Sequence, residues 1–326
     1  MPISTLPTSR GRLADQAAED RNDWPQSTAI AEWLKRPEAY KEPISRVGLK
    51  ETHISWVFLT DRFVYKLKKP VRFDFLDFRC VETRHEACTA EVRLNQRLAR
   101  GVYLGVVPIC ADAAGRLSLD GSGRVVDWIV KMRRLPADRM LDELIRNGRL
   151  SHEETMRLAG ALASFYHGLS PVTMGASDYR QAIEQHARAN REELLKPLHR
   201  LPASLVKRVH AAQLRFLQLE GGQFEDRVCD GRIVEGHGDL RPEHICLDGA
   251  PAIFDCIEFN EDFRRLDVAD ELGFLAMECD LLGAERVGAQ IVDAYRSACH
   301  DQFSDELWNF YKCYRACVRA KVAVLR

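Results

Sequence analysis

Residues 237–244 read His-Gly-Asp-Leu-Arg-Pro-Glu-His, a short run with Asp239 flanked by groups that can hold or move a proton. Phosphoryl transfer asks little covalent help of a protein; it needs the acceptor oxygen aligned and the phosphate charge neutralised. A carboxylate such as Asp239 can orient an attacking hydroxyl and finally take its proton, while His237 braces the loop. Arg241 offers a planar fork of donors suited to the transferred phosphate, and Pro242 stiffens the turn. Eleven residues past His244 comes Asp255, in Ala-Ile-Phe-Asp-Cys-Ile-Glu-Phe. A hairpin of 244–248 and 251–256 brings this second carboxylate beside the loop, where a metal would sit. His244 is an awkward neighbour for magnesium, a hard ion that prefers oxygen. Three outcomes are open: His244 hydrogen-bonds a phosphate oxygen while one metal on Asp255 suffices, Glu258 supplies the missing oxygen, or the site is crippled. The first two together are the expectation. Asp239 and Asp255 are both present, and a decayed enzyme would be expected to lose such costly charges.

The loop resembles the protein-kinase sequence His-Arg-Asp-Leu-Lys-Pro-Glu-Asn, and still more the His-Gly-Asp loop of the aminoglycoside-phosphotransferase-like kinases. Arg-Arg-Leu-Asp-Val-Ala-Asp-Glu-Leu-Gly-Phe-Leu (264–275) resembles the segment that packs a buried aspartate beneath their active site, here Asp267 or Asp270. Leu-Ala-Gly-Ala-Leu-Ala-Ser-Phe-Tyr-His-Gly-Leu (158–169) resembles the helix that precedes their catalytic loop. The likeness runs from about Pro43 to the C-terminus and is strongest to a bacterial branch sometimes fused to a P-loop kinase domain. No GxxxxGK[ST] occurs in this chain, so a separate P-loop kinase is a partner the resemblance allows. The histidine at 244 is the expected residue in that branch.

The resemblance implies ATP and magnesium (or manganese) as cofactors, and an N-lobe lysine. In Arg-Phe-Val-Tyr-Lys-Leu-Lys (62–68), strand alternation puts Val64 and Lys66 on one face. That matches the kinase pattern Val-Ala-Ile-Lys, in which the small residue lines the adenine and the lysine reaches the α- and β-phosphates. Lys68 shares the face but lies nearer the strand end and reads as a solvated edge lysine. For the carboxylate partner, Glu91 falls with Ala87, Leu94 and Leu98 on an apolar helix face, whereas Glu86 lies with Arg93 and Arg97 on the wet one. A carboxylate among core residues wants a cation, so Glu91 is the choice over Glu86; its bland reading is a pairing with some other base. The lobe crossing follows Met132, with backbone groups of Arg133 to Leu135 reading the adenine edge. The phosphate-covering segment, Lys-Glu-Thr-His-Ile-Ser-Trp (50–56), has no glycine, leaving Thr52, His53 and Ser55 as donors.

These residues need elements to hold them. Residues 1–23 are polar and aperiodic and read as a disordered arm. A short helix from Pro25 to Leu34 precedes strand patterns at 44–50, 54–59 and 62–68, the last two joined at Thr60-Asp61. A helix over Val81–Arg100 and strands near 104–110 and 124–132 follow. Beyond Pro136 the chain is helix-rich, with short strands flanking the 237–244 loop. Strands first and helices after imply an α+β chain. The resemblance makes it a two-lobed protein-kinase-like fold, with an N-lobe over 24–132, a hinge at 133–136 and a helical C-lobe over 137–326.

A chain of 326 residues, 46% hydrophobic and 29% charged, can bury a substantial core. Its formal net charge of −1 gives no field for nucleic acid, and no apolar run reaches the roughly 20 residues that span a bilayer. The ten cysteines include no CxxC pair; Cys313 and Cys317, one helical turn apart, lack a matching His/Cys pair for zinc. Free thiols in a reducing cytoplasm are the expectation. The acceptor, a small hydroxylated molecule, is expected among C-lobe helices between about 170 and 230 and on the final helix. Between Gly175 and Glu220 there are eight Lys/Arg against five Asp/Glu, which disfavours a polycationic acceptor. On the last helix Lys312, Arg315 and Arg319 form a stripe that reads as a solvated basic face, the alternative being a lining for an anionic acceptor or phosphate. The alternatives to a small-molecule kinase are a nucleotide-binding pseudokinase that regulates a partner, or an enzyme that modifies a protein hydroxyl or moves AMP.

Overall fold

The structure, a computed structural model, describes residues 23–73 and 76–325. The arm expected over 1–23 lies outside them, apart from Asp23, which opens the first helix. Helices are α1 (Asp23–Leu34), α2 (Val81–Asn95), α3 (Leu141–Arg146), α4 (His152–His167) and α5 (Ala176–Leu194). They continue as α6 (Ala203–Leu219), α7 (Gly221–Cys229), α8 (Val268–Leu281), α9 (Glu285–Cys299) and α10 (Asp305–Val324). Strands are β1 (Gly48–Glu51), β2 (Ser55–Leu59), β3 (Phe63–Lys68), β4 (Arg72–Phe73), β5 (Leu76–Asp77) and β6 (Tyr103–Ala111). The rest are β7 (Leu117–Leu119), β8 (Arg124–Arg133), β9 (Ile233–Glu235), β10 (Ile245–Cys246), β11 (Ala252–Ile253) and β12 (Arg265–Asp267). The chain divides into a β-rich unit and a larger helical one, the α+β class and arrangement that a protein-kinase-like fold implies. The first takes residues up to Gln96 and Gly101–Arg134; the second takes Arg97–Arg100 and everything from Leu135.

In the first unit, β1-β2-β3-β8-β6-β7 form one antiparallel sheet. Alternation sorts its side chains cleanly. Trp56, Phe58, Tyr65, Leu67, Ile109 and Ile129 pack on Ile30 and Leu34 of α1. Ser55, Val57 and Leu59 face the other way, paired across to Lys68, Lys66 and Val64. The turn between β2 and β3 closes because Thr60 Oγ1 donates to the Phe63 carbonyl and accepts its N–H. The strand expected over 44–50 begins only at Gly48, because Ser45 gives its N–H and hydroxyl to Asp61 in that same turn.

The helix expected to reach Arg100 stops at Asn95. Residues 97–100 belong to the second unit instead. There Arg97 donates to the carbonyls of Glu235 and Gly236, and the Leu98 carbonyl accepts from Ile253 N–H. Leu98, read as the end of α2's apolar stripe, packs into the second unit's core.

That core surrounds α8, in which every residue from Val268 to Cys279 is buried, with α9 and α10 packed along it. Two small antiparallel pairs interrupt the helices. β9 pairs with β12, and β10 pairs with β11 through Ile245↔Ile253 and Cys246↔Ala252. The second pair is the hairpin expected after the 237–244 loop, so that loop is tied at both ends. Among the described residues no helix is long and apolar enough to cross a membrane.

Candidate active site

The 237–244 loop leaves β9 through two glycines, each with a steric reason. A Cβ on Gly236 would lie 2.4 Å from Glu271 Oε2. Gly238 has φ +87°, and its Cβ would lie 3.0 Å from the Phe263 carbonyl oxygen. The bare Gly236 lets the Glu271 carboxylate, in the first turn of α8, slide beneath the loop. It accepts from His237 N–H at 2.9 Å, from Gly238 N–H and from the Tyr166 hydroxyl at 2.8 Å. A buried carboxylate with three donors is satisfied in the way that burial demands. The sequence pointed to Asp267 or Asp270 for this place, and both are corrected. Asp267 caps α8 by accepting from Ala269 N–H, and it also receives Arg227 and Tyr311. Asp270 receives Arg315. Successive helix positions point about 100° apart, and only Glu271 is aimed at the loop.

His237 is 1% exposed. Its Nε2 donates to the Phe254 carbonyl at 2.9 Å, which leaves Nδ1 to accept from Asp239 N–H at 3.3 Å. Burial pushes this imidazole below its ordinary value, so it stays neutral. The ring ties the loop to the end of β11.

His244 lies at the meeting point of the two carboxylates. Its Nδ1 is 2.9 Å from the Asp239 carbonyl, which can only accept, so Nδ1 carries the proton. Nε2 then presents a lone pair, 3.2 Å from Arg241 Nη2 and 3.5 Å from Asp255 Oδ2. Asp239 Oδ2 lies 3.5 Å from Nδ1. Asp255 is held with φ +65°, a left-handed conformation that aspartate tolerates better than most residues. Hydrogen bonds from Phe254 N–H to the His244 carbonyl and from Ile257 N–H to the His237 carbonyl clamp the chain on either side of it. Arg241 departs from expectation. Its guanidinium is buried against Asp239, Glu243 and His244 and is not turned outward to a phosphate.

The donor set also revises the metal ligands expected at Asp255, His244 and Glu258. Among the described residues no three His, Cys, Asp or Glu side chains form a ready cage. The Nε2 lone pair of His244 is engaged by Arg241, while Glu258, half-buried like Asp255, lies three residues beyond it. What remains fits magnesium: one or two carboxylates, with the other positions left to water and phosphate oxygens. Asp255, its side chain 40% exposed, is such a carboxylate, and Asp239, at 32%, faces the same imidazole without being needed as a ligand.

In the first unit, Lys66 Nζ lies 2.8 Å from Glu91 Oε1, and Lys68 Nζ lies 2.8 Å from Glu91 Oε2. Both carboxylate oxygens of a wholly buried Glu91 therefore hold a lysine. This corrects the reading of Lys68 as a solvated edge residue; it is 0% exposed, with its ammonium over the Phe78 ring. Sequence reasoning also passed over Lys69, whose Nζ donates to the Thr52 carbonyl and fixes the β1–β2 turn. Thr52 Oγ1 is spent on Ser55 N–H in that turn, and His53 is exposed. The Ser55 hydroxyl is buried without a hydrogen-bond partner, on the face that carries Lys66. An orphaned hydroxyl beside paired ammonium groups suits a polyanion. Val64 and Met132 are cross-strand partners on that same face. The hinge reading changes in detail. Arg133 N–H bonds the Val102 carbonyl and Arg134 N–H bonds the Arg62 carbonyl, so neither amide is available to an adenine edge. Leu135 begins the second unit.

The basic stripe on α10 is neither a solvated face nor a lining for an anionic acceptor. Lys312 pairs with Asp280, Arg315 with Asp270 and Arg319 with Glu278, all on or beside α8. Tyr311 is buried and donates to Asp267, and the Tyr314 hydroxyl meets His186.

No protein-family model matches the chain. A protein of Mycobacterium tuberculosis, named only as uncharacterized, is 33% identical over 285 residues, covering 86% of this chain. A protein of Mycobacterium bovis, named likewise, matches to the same extent. The chain spans 55% of the length of these relatives. A solved aminoglycoside-3'-phosphotransferase of type VIII superposes with a TM-score of 0.48 at 12% identity, over 91% of this chain and 99% of that one. A choline/ethanolamine kinase family protein from Mesorhizobium loti gives 0.48 at 15% identity, over 92% and 84%.

Proposed function

We propose that this chain is a cytoplasmic, ATP- and magnesium-dependent phosphotransferase that moves the γ-phosphate to a hydroxyl of a small molecule. The observation that carries the reading is the approach of Asp239 and Asp255 to one imidazole, each carboxylate 3.5 Å from His244. Magnesium ATP, when bound, supplies the phosphoryl group and the positive charge that offsets its oxygens. Asp239 orients the acceptor hydroxyl and takes its proton. Asp255 supplies an oxygen ligand, and His244 stands between the two acids while its Nδ1–H holds the loop's own backbone. In the first unit Glu91 fixes Lys66, with Lys68 on its second oxygen, so that an ammonium group is ready for the α- and β-phosphates.

The test is release of ADP from ATP with Mg²⁺ or Mn²⁺, first without an acceptor and then with a pool of hydroxylated metabolites. Asp239→Asn is expected to lower turnover by about 10²–10⁴-fold, the usual contribution of a general base, with ATP binding unchanged. If wild type and variant bind ATP alike and neither yields ADP, the chain is a nucleotide-binding regulator and not a kinase. Pyrophosphate in place of ADP would mark AMP transfer.

A further inference from the structure

Arg97, two residues past the end of α2, lies with the second unit and spreads its guanidinium over three of that unit's segments. Nη1 donates to the Glu235 carbonyl at 2.9 Å and Nη2 to the Gly236 carbonyl at 2.8 Å, where β9 runs into the 237–244 loop. Nη2 also donates to Cys256 Sγ at 3.6 Å, one residue beyond Asp255. Cζ lies over the Phe165 ring of α4, 5.4 Å from its centre. Two carbonyls adjacent in the chain suit the planar fork of an arginine better than a single ammonium, and hydrogen bonds from a charged donor are stronger than those between neutral groups. Asp255 needs support of this kind. Its φ of +65° is a sparsely populated conformation for a residue with a side chain, and it persists only where the surroundings hold it. Phe254 N–H and Ile257 N–H are tied to the loop by backbone hydrogen bonds, and His237 Nε2 reaches the Phe254 carbonyl. Cys256, between them, is buried; its thiol donates to the Ile257 carbonyl and its sulphur accepts from Arg97. Arg97 thus grips this segment from outside both the loop and the hairpin, and the same nitrogen holds the strand that feeds Asp239.

Resting on the phosphotransferase reading, we infer that Arg97 is a positioning residue for the metal-binding carboxylate: by joining Gly236 to Cys256 it fixes where Asp255 stands relative to Asp239. It acts through two carbonyls and a sulphur, at one remove from the reacting groups. Groups that orient a metal ligand from behind change metal affinity or activity by about 10–100-fold when they are removed.

Metal binding and turnover are read separately on the full chain. Mn²⁺ binding with ADP present is followed by electron paramagnetic resonance, beside ADP release from magnesium ATP, in wild type, Arg97→Met and Arg97→Lys. Methionine keeps an apolar stem over Phe165 but donates nothing; lysine keeps the charge without the fork. The Mn²⁺ dissociation constant should rise about 10–100-fold in Arg97→Met, with Arg97→Lys falling between it and wild type. A purely structural role lowers the urea midpoint but leaves the Mn²⁺ affinity of the folded chain where it was, and that result overturns the inference. If Arg97→Met does not fold, Cys256→Ala decides, because it cuts only the sulphur contact: weaker Mn²⁺ binding supports the role and unchanged binding overturns it. A wild type that binds Mn²⁺ but releases no ADP sinks the kinase reading, and the variants still decide the role of Arg97 from Mn²⁺ affinity. A wild type that turns over, with an Arg97→Met that binds Mn²⁺ equally well, sinks the positioning role alone. A wild type that binds no Mn²⁺ sinks both.

Discussion

Glu271 is the residue on which the loop's shape rests, since it receives two consecutive backbone N–H groups and the Tyr166 hydroxyl. Glu271→Gln keeps the volume but turns an amide NH₂ toward donors that need an acceptor. It is expected to destabilise the chain by about 1–3 kcal/mol, seen as a lower urea midpoint. An unchanged midpoint would mean that the loop holds itself. His237 makes a pH prediction. Its folded value is depressed by burial, so below about 6.5, the ordinary imidazole value, the unfolded chain binds the proton and the folded chain does not. Stability should therefore fall as pH drops from 6.5 towards the folded value, and be insensitive to His237 above it. Thermal melts of wild type and His237→Gln across this window should show a shallower slope in the variant. The sequence displayed His237, Asp239, His244 and Asp255 because a loop and one hairpin bring them together within twenty residues. Glu271 was hidden by distance along the chain and by two equally plausible acids, Asp267 and Asp270, whose helical directions no motif reveals.

Among the elements, β3 and α2 act as a unit through Glu91. Alternation along 62–68 showed which residues share a face, but it could not show that the helix opposite supplies one carboxylate to two lysines. Lys68 looked like a strand end and is a buried ion. Lys66→Ala and Lys68→Ala each leave the other lysine on Glu91, whereas the double variant removes both. A double-mutant cycle on unfolding free energy should show the pair coupled, with the double variant losing more than the two single losses combined. Additive losses would show that Glu91 treats them independently. Nucleotide affinity should separate them further, falling more for Lys66→Ala, since the Lys66 side chain is 9% exposed and that of Lys68 is 0%. The length of α2 was overestimated for a related reason. The apolar period ran on to Leu98, but Arg97 and Leu98 find their partners in the second unit, and tertiary bonds ended the helix before its pattern did.

At the scale of the whole chain, the division into a strand-rich and a helix-rich part was legible from element order alone. The electrostatics of the helical part were not, because charge counting sees sign and not pairing. Lys312, Arg315 and Arg319 are matched by Asp280, Asp270 and Glu278, so their positive charge says nothing about an acceptor. α8 is buried from Val268 to Cys279, so the backbone amides inside that stretch should exchange with deuterium only when the helical unit opens globally, more slowly than those of the edge strand β7. Comparable rates in the two would show that α8 opens locally. The same helix that hangs the loop's amides on Glu271 is bolted to α10 by Asp270 one position earlier. A tilt of α10 thus has two outlets, rupture of a buried ion pair or movement of the anchor under Asp239. A push on that last helix is expected to reach the 237–244 loop through these two neighbouring acids.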